Sequence, residues 1–163
     1  LKDESMENAL VSGIAFQKDQ IKFTLHGVGD IPGTAFKILG PISDAEIEVD
    51  VIVQNVSVDG KTDFTFTVSS EDQETVIRVL ESIKKEVDYR ELIVDSNIAK
   101  VSLVGVGMRS QAGVASKAFK ALSENNVNIQ IICTSEIKIT MVIDEQLIDK
   151  AVSVLHKEFE LEK

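Results

Sequence analysis

Gly27-Val28-Gly29-Asp30-Ile31-Pro32-Gly33 near the start of the chain is echoed farther on by Gly105-Val106-Gly107-Met108-Arg109-Ser110-Gln111-Ala112-Gly113. Each stretch follows a strand-like run and opens a helix-like run. A repeat of this kind sets the unit of folding. A glycine-rich turn that leads into a helix also gathers backbone N–H groups where a carboxylate or phosphate can be held.

Around the first copy, apolar Ile21, Phe23 and Leu25 alternate with Lys22, Thr24 and His26, the period of a half-buried strand. Pro32 suits the first position of a helix. Pro41 predicts a kink or an early end, because its ring and missing N–H cost about 3 kcal/mol in a helix interior. Residues 47–56 form a second strand, Asp59-Gly60 marks a hairpin turn, and 63–68 form the return strand. Ser69 or Ser70 caps a helix whose apolar positions are Val76, Ile77, Leu80 and Ile83. Residues 89–94 read as a fourth strand, so the unit is β-α-β-β-α-β.

The second copy has a strand at 100–105, a helix at 113–124, strands at 127–133 and 137–143, and a helix capped by Asp144. The copies align at a constant offset of 80 residues from Gly33/Gly113 to Asp50/Gln130. After His156 only a short charged tail remains, so the second copy lacks its fourth strand. A spare strand lies ahead of the first copy, at 9–16, followed by a turn at Lys18-Asp19-Gln20. That spare strand is expected to cross over and complete the second unit, since an uncompleted sheet would leave an open edge. The expected fold is α+β: two ferredoxin-like units, the first (18–96) inserted in the second (6–17 plus 97–163).

At 163 residues, two such halves are each small. A unit of that size buries only about 60 % of its unfolded surface and is marginal alone, so the two should pack together or against another chain. The formal net charge of −10 disfavours nucleic acid and anionic membrane as partners. No long uncharged apolar run suggests a membrane span, and no signal-peptide pattern opens the chain. The single cysteine, Cys133, excludes an internal disulfide framework and points to a reducing cytoplasm. With no neighbouring base to activate it, it reads as a small apolar residue. His26 and His156 are far apart, and no ligand spacing suggests a metal.

The glycine spacing is one residue too long for a dinucleotide fingerprint, and no phosphate-loop Lys-Ser/Thr follows. The glycines either serve the turns alone or open a site for a small anion such as an amino-acid carboxylate. Asp30 is either a helix cap or a partner for a ligand ammonium; the second turn has no acid at that place. Gln54-Asn55 and Thr134-Ser135 occupy matching positions at strand ends. They satisfy hairpin backbone groups or read a ligand's polar side chain. Asn128 is unusual on a strand. No nucleophile, base and oxyanion donor come together, so no catalytic residue and no cofactor are expected.

Three groups of strings carry a resemblance. Val11-Ser12-Gly13-Ile14-Ala15 leads Gly29-Asp30-Ile31-Pro32-Gly33 and Val53-Gln54-Asn55-Val56-Ser57. Lys100-Val101-Ser102-Leu103-Val104-Gly105-Val106-Gly107-Met108 follows, then Asn126-Val127-Asn128-Ile129 with Thr134-Ser135-Glu136-Ile137. In this order they resemble the regulatory half of aspartate kinase, a pair of ACT domains, over nearly the whole chain from Met6 onward. The resemblance implies feedback inhibition by threonine, lysine or both, bound where ACT units pair between chains of a homodimer. It implies an amino-acid kinase domain or subunit as partner, and Met6 as a candidate internal start of a separate regulatory subunit. By motif, Asp30 would meet the ligand ammonium, backbone at Gly33, Thr34 and Ala35 its carboxylate, and Gln54 would contact it from the adjacent strand. The second unit would contribute Gly113, Val114, Ala115, Asn128, Ile129, Thr134 and Ser135. Rival readings are an ACT-type sensor for another amino acid, a stand-alone enzyme, and an RNA-binding module. The last needs exposed aromatics and a basic face, and this chain has no Trp and one Tyr.

Overall fold

The computed structural model describes residues 11–29, 31–56, 59–105, 111–135 and 137–159. In chain order the elements are β1 (Gly13–Gly29), α1 (Thr34–Asp44), β2 (Ile52–Val56), β3 (Lys61–Ser69), α2 (Gln73–Ser82), β4 (Glu91–Val104), α3 (Gln111–Glu124), β5 (Ile129–Thr134), β6 (Lys138–Asp144) and α4 (Ile148–Glu158). Single 3₁₀ turns, Ser70–Asp72 and Glu145–Leu147, lead into α2 and α4. The chain divides into two compact units, one from Asp19 to Ser96, the other made of the residues up to Lys18 and those from Asn97 on.

The inserted unit is β-α-β-β-α-β with neighbour order β2-β3-β1-β4. In β3, Phe64, Phe66 and Val68 alternate inward, opposite Leu25, Phe23 and Ile21 of β1. This is the pleat of a sheet with one covered face. The helices supply Ile38, Ile42, Val76 and Leu80 to the same core. The predicted alternation is therefore the actual core face. Tyr89 joins this core, and its hydroxyl is held above the usual phenol range, first by burial and then by the Glu81 carboxylate.

The discontinuous unit repeats the layout with neighbour order β5-β6-β4-β1. Its core joins Val101 and Leu103 of β4, Ile139, Met141 and Ile143 of β6, Ala118 and Leu122 of α3, and Leu155 of α4. Val11 belongs to this core too, and the Ser12 N–H donates to the Val104 carbonyl at 2.7 Å. The N-terminal segment is thus the fourth strand of this unit. The fold is two ferredoxin-like β-α-β-β-α-β units, the first inserted in the second.

Several boundaries differ from the sequence expectation. Lys18-Asp19-Gln20 is not a turn: β1 runs through it, with Asp19 at φ 58. The strands expected at 89–94 and 100–105 are likewise not separate but joined in one strand, β4, from Glu91 to Val104. Pro41 does not end α1, which continues to Asp44. The residue before a proline is normally barred from helical geometry by its Cβ; here that residue is Gly40, which has none. The expected caps serve the 3₁₀ turns that lead into α2 and α4; the helices themselves start after Asp72 and Leu147 with no side-chain cap bond. Ser69 Oγ accepts from the Glu71 N–H, and Asp144 Oδ1 from the Gln146 N–H at 2.9 Å. The Asp59-Gly60 turn also stands, with the Lys61 N–H donating to Asp59 Oδ1 and Gly60 at φ 77. No helix among the described residues is long and apolar enough to cross a membrane.

Candidate functional site

The first glycine-rich stretch folds as a strand exit, a turn and a helix start. β1 leaves its partner at Gly29, opposite Lys61. Ile31 N–H donates back to the Gly29 carbonyl at 3.0 Å. Gly33 is the N-cap of α1 at φ 89, a left-handed conformation that glycine adopts freely. As a glycine it has no side chain to cap the helix, and the first turn of α1 contains no acid. Pro32 sits one residue before this cap rather than at the first helical position. The first intrahelical bond runs from Lys37 N–H to the Gly33 carbonyl. The N–H groups at Ala35 and Phe36 therefore lie in the turn that an α-helix leaves without internal partners.

Thr34 is committed inward. It is buried, and its hydroxyl donates to the carbonyls of Ile31 at 2.9 Å and Gly29 at 3.2 Å. That bond pattern ties the turn together and takes the Thr34 side chain out of the ligand-facing set. Asp30 lies outside the described residues, as do Met108 and Arg109 of the second turn.

Register places Gln54 at the same end of the sheet. Gln54 lies opposite Phe64, and Phe64 lies opposite Leu25. β2 and β1 therefore run in the same direction, flanking β3, with their C-terminal ends on one side. Two strand spacings separate them, roughly 10 Å, and Gln54 is exposed on the edge strand.

Just ahead of the turn, β1 has a bulge. Leu25 pairs with Phe64 and Val28 with Thr62, so His26 and Gly27 together oppose Asp63. The Asp63 Oδ1 accepts from the Gly27 N–H at 3.2 Å and lies 2.7 Å from His26 Nδ1.

The second unit has a related layout. Thr134 lies opposite Ile139, which lies opposite Leu103 of β4. Thr134 and Ser135 are exposed at the strand end nearest the start of α3, and Ser135 N–H donates to the Lys138 carbonyl at 2.8 Å. The copies are unequal at their glycines. Gly33 caps its helix, whereas Gly113 lies inside α3. Val114 points into the core, leaving only its backbone for a ligand. Among the described residues no group of three His, Cys, Asp or Glu side chains is placed to hold a metal ion.

Residues 25–88 match one model of the ACT domain and residues 101–159 match another. The aspartate kinase of Stutzerimonas stutzeri strain A1501 is 58% identical over 161 residues, 99% of this chain and 39% of that protein. The solved structure of aspartokinase alpha and beta subunits superimposes with a TM-score of 0.85 at 46% identity, covering 92% of this chain and 99% of that one. The ligand-free regulatory subunit of aspartate kinase from Thermus thermophilus does so with a TM-score of 0.86 at 33% identity, covering the same shares. This chain belongs to the aspartokinase family. It is the regulatory ACT region of such a kinase, and it spans about 39% of the length of the curated relatives it matches.

Within this ACT pair the expected site residues fall into separate groups. Gly33 and Ala35 flank Thr34 at the start of α1, with Gln54 at the same sheet end. Gly113 and Ala115 lie in the first turns of α3, with Thr134 and Ser135 at the corresponding sheet end. Asn128 and Ile129 stand apart, at the opposite end of β5 from Thr134. At about 3.3 Å per residue, Ile129 and Thr134 are roughly 17 Å apart, too far for one amino acid to touch both within a single domain. The feature that sequence reading passed over is Asp63, whose place opposite two β1 residues depends on a bulge that periodicity does not report.

Proposed function

We propose that this chain is the amino-acid-sensing module of an aspartate kinase, a homodimer that binds threonine, lysine or both and lowers the activity of a kinase domain or subunit. The observation that carries the reading is the start of α1. A glycine cap at φ 89 and an acid-free first turn leave N–H groups open to a carboxylate, with Gln54 beside them to meet a polar side chain. Asp30, next to the turn in sequence, supplies the counter-charge for the ligand ammonium.

The dimer is supported by apolar side chains left exposed around this end of the domain. Ile31, Phe36 and Val56 are 61%, 77% and 67% exposed. β2 is an edge strand whose ladder groups are open on one side, a natural place for a second copy to pair. In the other domain β5 is likewise an edge, with exposed Ile132. Because Asn128 and Ile129 cannot join Thr134 around one ligand within a domain, they belong in this reading to sites completed by the partner copy. Regulation then requires the ligand to bind one arrangement of the kinase better than the other, since equal affinity shifts nothing. Coupling of about 1–3 kcal/mol suffices for useful inhibition.

Calorimetric titration of the chain with threonine, lysine and methionine tests the proposal. Saturable binding of threonine or lysine to a folded dimer is expected. No heat of binding with any of the three, from protein whose dimer is verified by sedimentation, would refute it.

A further inference from the structure

We propose that Asp63 is a positioning residue for the amino-acid site at the β1–α1 turn, acting through the bulge at His26 and Gly27. The inference rests on the reading above that this turn holds the effector. Among the described residues the bond and ion pair of Asp63 are to Gly27 and His26, not to the turn that follows Gly29.

A bulge leaves its extra residue without a ladder partner. Here the Asp63 carboxylate fills that vacancy. One oxygen, Oδ1, accepts from the Gly27 N–H at 3.2 Å and lies 2.7 Å from His26 Nδ1, so both residues that oppose Asp63 are in contact with it. The other flank is held by Arg90. Its N–H donates to the His26 carbonyl at 2.8 Å. Its side chain lies so close to Gly27 that an added Cβ there would fall 3.0 Å from the Arg90 Cβ. The guanidinium in turn reaches Asp59 at 3.6 Å. Gly27 sits at φ 72, which suits only a residue free to adopt the left-handed region.

The bulge sets the direction of everything after it. Before it, Leu25 points into the core; after it, Val28 does, opposite Thr62. Without the extra residue Gly27 would take that inward place, and each following residue would change face. Asp30 follows Gly27 by three positions and the α1 cap Gly33 by six. The Asp63 clasp therefore determines where the turn leaves the sheet and how the α1 N–H groups are aimed.

The test compares Asp63→Ala, Asp63→Asn and Thr65→Ala. Thr65 lies one rung away on the same face, where its hydroxyl bonds that of Thr24 at 3.1 Å, so its loss perturbs the strand pair but not the bulge. Asparagine keeps an oxygen for the Gly27 N–H. At a temperature where all are folded, Asp63→Ala is expected to bind threonine or lysine about tenfold more weakly, the scale of one mis-set hydrogen bond. Asp63→Asn should recover most of that loss, and Thr65→Ala should bind as the unaltered chain does. In ligand-free protein the amide resonances of Gly33, Thr34 and Ala35 should move in Asp63→Ala and return in Asp63→Asn. Unchanged affinity in folded Asp63→Ala, unmoved amides, or an Asp63→Asn as weak as Asp63→Ala would each overturn the inference while leaving the effector site standing. Absence of binding by the unaltered chain would remove both.

Discussion

Phe23 of β1 and Phe66 of β3 are cross-strand partners whose rings stack, with centroids 5.5 Å apart and planes inclined by 19°. Both are fully buried, and Phe64 adds a tilted contact at 6.2 Å. The inserted domain is built outward from this pair, and the β1 exit that reaches the candidate site is an extension of the same strand. Truncation of Phe66 to alanine is expected to cost roughly 3–5 kcal/mol of stability. A double-mutant cycle with Phe23 should recover about 0.5–1.5 kcal/mol of coupling. Urea denaturation of the four proteins measures both, and strict additivity would show that the stack contributes nothing beyond area.

Thr62 is buried between Val28 and Val56, and its hydroxyl has no hydrogen-bond partner among the described residues. An unmet buried hydroxyl is a cost, on the order of 1 kcal/mol or more. Thr62→Val keeps the shape and removes the polar atom, so it should raise the unfolding free energy by about 1 kcal/mol. A lower midpoint in urea would mean that the hydroxyl is satisfied in solution.

Gly27 and Gly33 both have positive φ but differ in their surroundings. No described residue lies within 4 Å of a Cβ added to Gly33, whereas at Gly27 the added atom meets Arg90. Gly33→Ala should therefore cost only the left-handed penalty, roughly 1–2 kcal/mol, and Gly33→Asn less. Gly27→Ala should cost more than Gly33→Ala, because Arg90 has to move as well. Thermal unfolding ranks the three; equal losses at 27 and 33 would remove Arg90 from the account.

Asp30→Ala is expected to weaken effector affinity by about 1.5–3 kcal/mol, the range of a hydrogen bond to a charged group. Calorimetry against the same ligand reads it directly. A folded variant with the affinity of the unaltered chain would reduce Asp30 to a turn residue.

Much of this architecture is legible in the residues. Ile21, Phe23 and Leu25 alternate because one face of their sheet is covered, and that alternation names the core. Counting strands in the second copy calls for one more, and the N-terminal segment is there to supply it. The passage of β1 through Lys18, Asp19 and Gln20 is not legible, because these polar residues belong to the stretch where the strand leaves one unit for the other. Neither core imposes its period there, and polar residues without a period look like a turn. At the turn, the glycine spacing marks a helix start, but that Gly33 rather than Pro32 stands at its cap is seen only from its φ of 89. Asp63 does not, because its contact with Gly27 depends on a register between positions 36 apart. The separation of Asn128 and Ile129 from Thr134 follows from strand rise along the strand already expected at 127–133.

The bond from Ser12 to Val104 bears on the order in which the chain is assembled. In synthesis residues 11–18 emerge ahead of their partners, some 92 positions later. Closing a loop of that length is slow because its entropy must be spent before any contact repays it. The inserted domain shortens the search. Once residues 19–96 have folded, β1 and β4 already lie side by side, held near the junction by Lys22 and Asp95 at 4.0 Å. Extending that existing pair by a few rungs then brings Ser12 to Val104. Pairing already made between β1 and β4 thus shortens the loop that remains to be closed.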